Sequence, residues 1–204
     1  MSYAILGFMD RTSAGGTRVI ARTAIRTELA RVAFEMFGRD GFDKVTITDL
    51  AAEAGISRST FLRYFKTKED AVLSALDARG EQIADALRDR PADEDDWTAL
   101  RRAADVVIEP YHQDPAQSLA LTRLIQATPA LSNRWRQDRH RLHPGLCQAL
   151  LGRRNQDGPV PLEISVTAAA ALDCLIIAIE YWVQSDGERD LDQLLDEAFT
   201  ALAK

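Results

Sequence analysis

The stretch from Thr46 to Asp70 reads TITDLAAEAGISRSTFLRYFKTKED, and its interpretation decides the fold. Two short helical patterns flank Gly55. The second carries Ser, Thr and Arg where a helix buried in a protein would carry apolar side chains. Ala51, Gly55 and Phe61 stand at the spacing a helix-turn-helix requires. A small residue at Ala51 lets two helices approach, Gly55 accepts a turn conformation that costs residues with a Cβ, and Phe61 plugs the angle between the helices.

Upstream, Ile25, Leu29, Val32, Ala33, Met36 and Phe37 recur at spacings of three and four, which predicts one apolar helix face ending at Gly38 or Gly41. Thr46 is placed to cap the next helix, with Asp49 completing a capping box. Ser57 and Thr67 are expected to cap the two helices that follow. In a helix-turn-helix the second helix enters the major groove with its N-terminal residues nearest the bases. Here those are Ser57, Arg58, Ser59 and Thr60, with Arg63 a turn further on. Arg58 has the fork that matches O6 and N7 of guanine, and a phosphate contact is its alternative. Thr46, Thr48, Lys66, Thr67 and Lys68 are expected to grip the phosphate backbone. Lys68 opposes the dipole at a helix start, a cost that a phosphate contact would explain.

The run resembles the tetracycline-repressor (TetR) family of bacterial transcription regulators. The resemblance rests on Thr46, Asp49-Leu50-Ala51, Ala54-Gly55-Ile56-Ser57, Tyr64-Phe65 and Thr67-Lys68-Glu69, all in register. Many members place a phosphate-contacting Tyr two residues before the Tyr-Phe pair. This chain has Leu62 there, so such a contact carries over only to Tyr64, and Leu62 is expected in the core. The resemblance implies an all-α protein: an N-terminal three-helix helix-turn-helix domain, then a C-terminal helical domain for ligand binding and dimerisation. The expected boundaries are an arm over 1–20, the DNA-binding domain over 21–67 and the second domain over 68–204. It further implies a repressor that holds a palindromic double-stranded operator as a homodimer and is released by a small effector. The alternative is an activator or architectural DNA-binding protein that answers to no small molecule.

Charge agrees with this division. The chain carries −6 overall, but residues 1–70 hold 11 Lys and Arg against 9 Asp and Glu, a net of +2, while residues 71–204 hold 14 against 22, a net of −8. The basic part is the part with the motif, so an acidic whole does not exclude a DNA partner. Arg11 and Arg18, with Arg22 following, belong either to a solvated tail or to an arm lying along phosphates or in a minor groove. Cys147 and Cys174 sit in apolar helical surroundings, which favours a reduced, cytoplasmic setting. The longest apolar stretches are interrupted by Asp173 and Glu180, so no membrane span or membrane partner is expected, and the opening MSYAILGFMD lacks the charge pattern of a signal peptide.

Beyond Trp97 the pattern stays helical, over about Asp96–His112, Pro115–Thr128, Ala130–Leu151, Leu162–Ser185 and Asp190–Ala203. The small run Ala168–Ala171 allows close helix approach. Ala168, Leu172, Leu175, Ile179, Leu194, Leu195 and Phe199 are expected at a two-fold interface built from the last two helices. The alternative is that these faces bury within their own domain. Aromatic residues and histidines gather in the middle helices, where a bundle can hold a ligand. The run LTRLIQATPAL is similar to TetR-type regulators near the mycofactocin regulators, which implies an apolar or acyl-coenzyme A-like effector. Leu121, Leu124, Ile125, Trp135, Leu142, Leu146, Ile177 and Tyr181 are the expected pocket residues. His140, His143 and Cys147 could share a helix face and hold a transition metal, but Pro144-Gly145 interrupts the set, so neither metal nor cofactor is expected. No GxSxG, Walker loop or GxGxxG occurs, which argues against an enzyme.

Overall fold

The computed structural model describes the backbone of residues 10–203 and the side chains of residues 21–74, 82–135 and 142–203. The elements are α1 (Asp10–Asp40), α2 (Ile47–Glu53), α3 (Arg58–Tyr64), α4 (Lys68–Arg88), α5 (Asp96–Ala103), α6 (Asp105–Gln113), α7 (Pro115–Ala127), α8 (Pro129–Arg153), α9 (Leu162–Gln184) and α10 (Leu191–Leu202). Among the described residues there is no strand. Two compact units emerge, residues 1–75 and 76–204, so the division falls inside α4 and not at 67/68. The reason is local: Ala71, Val72 and Leu73 in the first turns of α4 are buried.

Helix α1 begins at Asp10, well inside the stretch expected to be an arm. Gly15 and Gly16 weaken a helix by about 1 kcal/mol each relative to Ala but do not end it as proline would, and the helix downstream supplies the nucleus. The side chains of Arg11 and Arg18 lie outside the described ones. The first unit closes around Leu29, Ala33 and Phe37 of α1, Phe42 and Val45 of the connection, Leu50 and Ala51 of α2, and Phe61 and Phe65, all buried. The rings of Phe37 and Phe42 meet at a tilt with centroids 4.9 Å apart, and those of Phe61 and Phe65 likewise at 5.4 Å. Gly55 has φ +67°, the left-handed conformation the turn needs. Around it the Ile56 N–H donates to the Ala51 carbonyl at 2.9 Å and the Gly55 N–H to Ala52 at 3.0 Å, which stops α2 and turns the chain into α3.

The second unit packs α5 to α10 and the end of α4 around one core that includes Leu87, Leu100, Ile108, Leu146, Leu150, Ile164, Ala168 and Leu195. The segment expected as one helix over 96–112 is two, broken at Ala104, whose N–H is shared between the Leu100 and Arg101 carbonyls. No Gly or Pro marks that break. Helix α8 instead runs on through Pro144, and Gly145 brings it close to α4: a Cβ there would lie 3.7 Å from the Ala84 side chain. Helix α9 corrects another expectation. It is long and apolar enough to cross a membrane by length and composition alone, despite Asp173 and Glu180. Ten of its residues, from Ile164 to Val183, are nevertheless buried in this unit.

Candidate nucleic-acid interface

The exposed surface of the helix-turn-helix is built by its caps. Thr46 accepts from the Asp49 N–H at 3.3 Å, while the Asp49 carboxylate accepts from the Thr46 N–H at 2.9 Å and its hydroxyl at 2.6 Å. These bonds hold the Asp49 carboxyl below the usual carboxylate range. Ser57 Oγ accepts from the Thr60 N–H at 3.1 Å and lies 2.9 Å from both Ser59 Oγ and Thr60 Oγ1. The first turn of α3 therefore presents a linked set of three hydroxyls beside the exposed Arg58. At the start of α4, Thr67 Oγ1 accepts from the Asp70 N–H at 3.1 Å, and Asp70 Oδ2 accepts from the N–H groups of Lys66 and Thr67 at 3.1 and 3.2 Å.

Of the residues expected at DNA, Thr48, Ser57, Arg58, Ser59, Arg63, Lys66 and Thr67 are exposed, and Thr60 and Tyr64 are half-buried. Two are otherwise employed. The Thr46 hydroxyl is committed to Asp49. Lys68 Nζ donates to the carbonyls of Phe42 at 2.6 Å and Val45 at 3.3 Å and lies 4.2 Å from the Phe42 ring centre. These carbonyls and this ring account for its charge at the helix start without a phosphate. Leu62 is half-buried.

Basic side chains in this unit differ in their partners. Arg31 bridges Glu28 and Glu35, and Arg39 bridges Asp40 and Glu53. Among the described residues, Arg22, Arg58 and Arg63 pair with no acid. Arg22 and Arg63 face an open groove of about 480 Å³ lined by Ala21, Arg22, Ile25, Arg63 and Tyr64. Sequence reasoning placed Arg63 and Tyr64 at DNA but left Ile25 on the core face; it is 45% exposed.

In the second unit burial sorts the expected interface and pocket residues differently from the sequence. Ala168, Leu172, Leu175, Ile179, Leu194, Leu195 and Phe199 all lie in the core of the second unit, none more than 7% exposed. They cannot also form a surface. The exposed face of α9 instead carries Leu162, Val166, Ile177 and Tyr181, at 80%, 58%, 48% and 52% exposure. Ile177 and Tyr181, expected in a pocket, thus point outward. Of the other pocket candidates, Leu121, Leu124, Trp135 and Leu142 are half-buried, while Ile125 and Leu146 are fully enclosed. Several aromatic residues serve packing: Trp97 Nε1 donates to the Phe199 carbonyl at 3.0 Å, and Tyr111 meets Trp182 edge-on at 5.2 Å. His143 Nε2 is 2.8 Å from the Ser165 carbonyl, and burial pushes the Cys147 and Cys174 thiols up, away from reactivity. The His140 side chain lies outside the described residues.

Residues 29–75 match the model for bacterial regulatory proteins of the tetR family, and residues 94–204 match the model of the MftR C-terminal domain. The HTH-type transcriptional regulator TcmR of Streptomyces glaucescens is 29% identical over 146 residues, 69% of this chain and 64% of TcmR. EthR of Mycolicibacterium smegmatis is 34% identical over 98 residues, 46% of this chain and 44% of EthR. The chain thus matches less than two thirds of the length of these relatives. Among solved structures, Thermus thermophilus FadR, a TetR-family transcriptional repressor in complex with lauroyl-CoA, superimposes with a TM-score of 0.55 at 22% identity, covering 87% of this chain and 93% of FadR. FadR from Bacillus halodurans gives 0.56 at 17% identity, covering 87% and 93%. With a helix-turn-helix held by Gly55 and its caps, and a C-terminal match over more than half its length, the chain belongs to the TetR family of bacterial regulatory proteins.

Proposed function

We propose that the protein is a homodimeric repressor that holds a palindromic operator through α3 and leaves it when a small apolar or acyl-bearing molecule binds the second unit. The observation that carries this reading is the first turn of α3: an exposed Arg58 with no acid partner among the described residues, beside three linked hydroxyls, on a helix fixed by a buried Phe61. Such a surface is hydrated when free and offers the donors and acceptors that base edges take. Membership of a regulatory family speaks against an enzyme.

The homodimer rests on the outer face of α9. Leu162, Val166, Ile177 and Tyr181 lie exposed along one face of the helix, with Asp173 between them, and a second copy related by a two-fold axis would cover both faces at once. Two recognition helices would then reach successive major grooves, ~34–36 Å or somewhat more apart. The effector reading is supported by the MftR-type C-terminal domain and by the half-buried Leu121, Leu124, Trp135 and Leu142. An acyl-CoA in the T. thermophilus neighbour is consistent with it. The protein would act in the cytoplasm, where its operator is.

Selection of binding sites from random duplexes, followed by mobility-shift titration, tests the reading. An inverted repeat should emerge, and Arg58→Ala should relax preference at one position per half-site by ~1–3 kcal/mol. Acyl-CoA compounds of graded chain length should release the complex, which requires tighter binding to the free than to the DNA-bound state. Failure to select any duplex would sink the DNA reading; release by none of the compounds would sink the acyl effector alone and leave the effector-free alternative.

A further inference from the structure

We infer that the groove between α1 and the C-terminal end of α3 is a seat for one strand of the DNA backbone, with Arg22 as its phosphate ligand. The inference rests on the DNA-binding reading and extends it to a helix outside the helix-turn-helix. Arg22 stands on the α1 wall and Arg63 on the α3 wall of an open groove of about 480 Å³. No acid lines it. Neither guanidinium has an ion-pair partner among the described residues, although Arg31 and Arg39 on the same helix are both paired. Two like charges across one groove repel, and an anion between them turns that cost into attraction.

The remaining lining argues for which anion. Ala21, Ile25 and Tyr64 give the groove an apolar floor with one hydroxyl. A free phosphate has no use for such a floor. A nucleotide strand has, because its sugars are largely apolar between charged phosphates. Position supplies the second argument. The groove opens at the end of α3 whose other end carries Ser57 to Thr60, and seven residues of helix span ~10 Å. The major groove is ~12 Å wide. A duplex read at its base edges by the start of α3 therefore brings a bordering backbone near the end of α3, where Arg22 and Arg63 stand. Contacts of this kind set register and affinity without reading sequence.

The test uses full-length protein, its selected operator and operators in which single phosphates are replaced by neutral methylphosphonates. Arg22→Ala should lower the slope of log affinity against log salt by about one and weaken specific and non-specific duplexes alike. One methylphosphonate position per half-site should weaken wild type and have no effect in Arg22→Ala. Because Arg22 is exposed, thermal unfolding of the variant should match wild type. Wild-type protein that binds operator while Arg22→Ala keeps its salt slope and its full methylphosphonate profile would overturn the inference and leave the proposed function intact. Wild-type protein that binds no duplex removes the reading on which it rests. Inorganic phosphate protecting Arg22 from arginine-selective modification as well as operator does would likewise overturn a backbone seat.

Discussion

Lys68 and Phe42 are joined twice: the ammonium donates to the Phe42 carbonyl at 2.6 Å and lies 4.2 Å from the centre of its ring. A residue of α4 thereby closes the connection between α1 and α2, satisfying two carbonyls, Phe42 and Val45, that follow the end of α1. Lys68→Met keeps the aliphatic stem and removes the donor. It should lower stability by about 1–2 kcal/mol in urea unfolding while leaving the salt slope of DNA binding unchanged. A loss of salt slope with unchanged stability would return Lys68 to the phosphate backbone.

On α9, exposure separates two kinds of apolar residue that look alike in the chain. Ile177→Glu and Tyr181→Glu should leave the protomer folded and shift sedimentation from dimer to monomer. Leu175→Glu places a charge in the core and should unfold the second unit, a change of several kcal/mol. If Ile177→Glu stays dimeric at micromolar concentration, the outer face of α9 is not the interface.

Arg153 is the most enclosed cation described, its side chain 6% exposed. It donates to the carbonyls of Arg90 at 2.9 Å, Pro91 at 3.0 Å and Glu94 at 2.9 Å, with a longer bond to Leu87 at 3.4 Å, and so ties the end of α8 to the loop that leaves α4. Its Nε has no hydrogen-bond partner and faces Asp96 at 3.6 Å. Arg153→Met leaves those carbonyls unmet and should cost about 3 kcal/mol. Arg153→Lys should restore only part, because an ammonium concentrates its three donors on one nitrogen, whereas the planar guanidinium spreads its donors over the four carbonyls it meets. Chemical denaturation of both variants checks the order.

Acid should weaken the protein through its caps. Hydrogen bonds from Thr46 depress the Asp49 carboxyl, and those from Thr98 depress Asp95. Both carboxylates are lowered in the folded state, so their contribution is complete above the unfolded carboxylate range and is lost as pH falls through the lower folded values. Melting temperature should therefore be level near neutrality and decline in acid. Asp49→Asn should melt lower at pH 7 and show a shallower decline, and an unchanged acid limb would remove Asp49 from the account.

What the chain made legible follows distance along it. The helix-turn-helix could be read from Ala51, Gly55 and Phe61 because every determinant lies within a dozen residues, and the Thr46–Asp49 box was equally local. The partners of Lys68 were not legible because they lie 26 and 23 residues away. The phase of α9 was missed for a different reason. With apolar residues on nearly every side, periodicity alone does not say which face is inside. Asp173 held the missing signal: it is exposed, and Ile177 and Tyr181 follow it one and two turns later on the same side. The break at Ala104 carries no such mark, since Ala103 and Ala104 would themselves continue a helix.

The three hydroxyls at the start of α3 give the proposed reading surface a polarity that is not fixed. Ser57 Oγ lies 2.9 Å from Ser59 Oγ and from Thr60 Oγ1, and in each pair either oxygen can supply the hydrogen. Rotation of the hydroxyl protons, with no heavy atom moved, turns an outward donor into an outward acceptor. A base edge offering thymine O4 or adenine N6 would orient that short circuit to suit itself, whereas the guanidinium of Arg58 can only donate. Adjacent positions on one helix turn thus differ in tolerance, and operators that drift in sequence would be forgiven at the hydroxyls and penalised at the arginine.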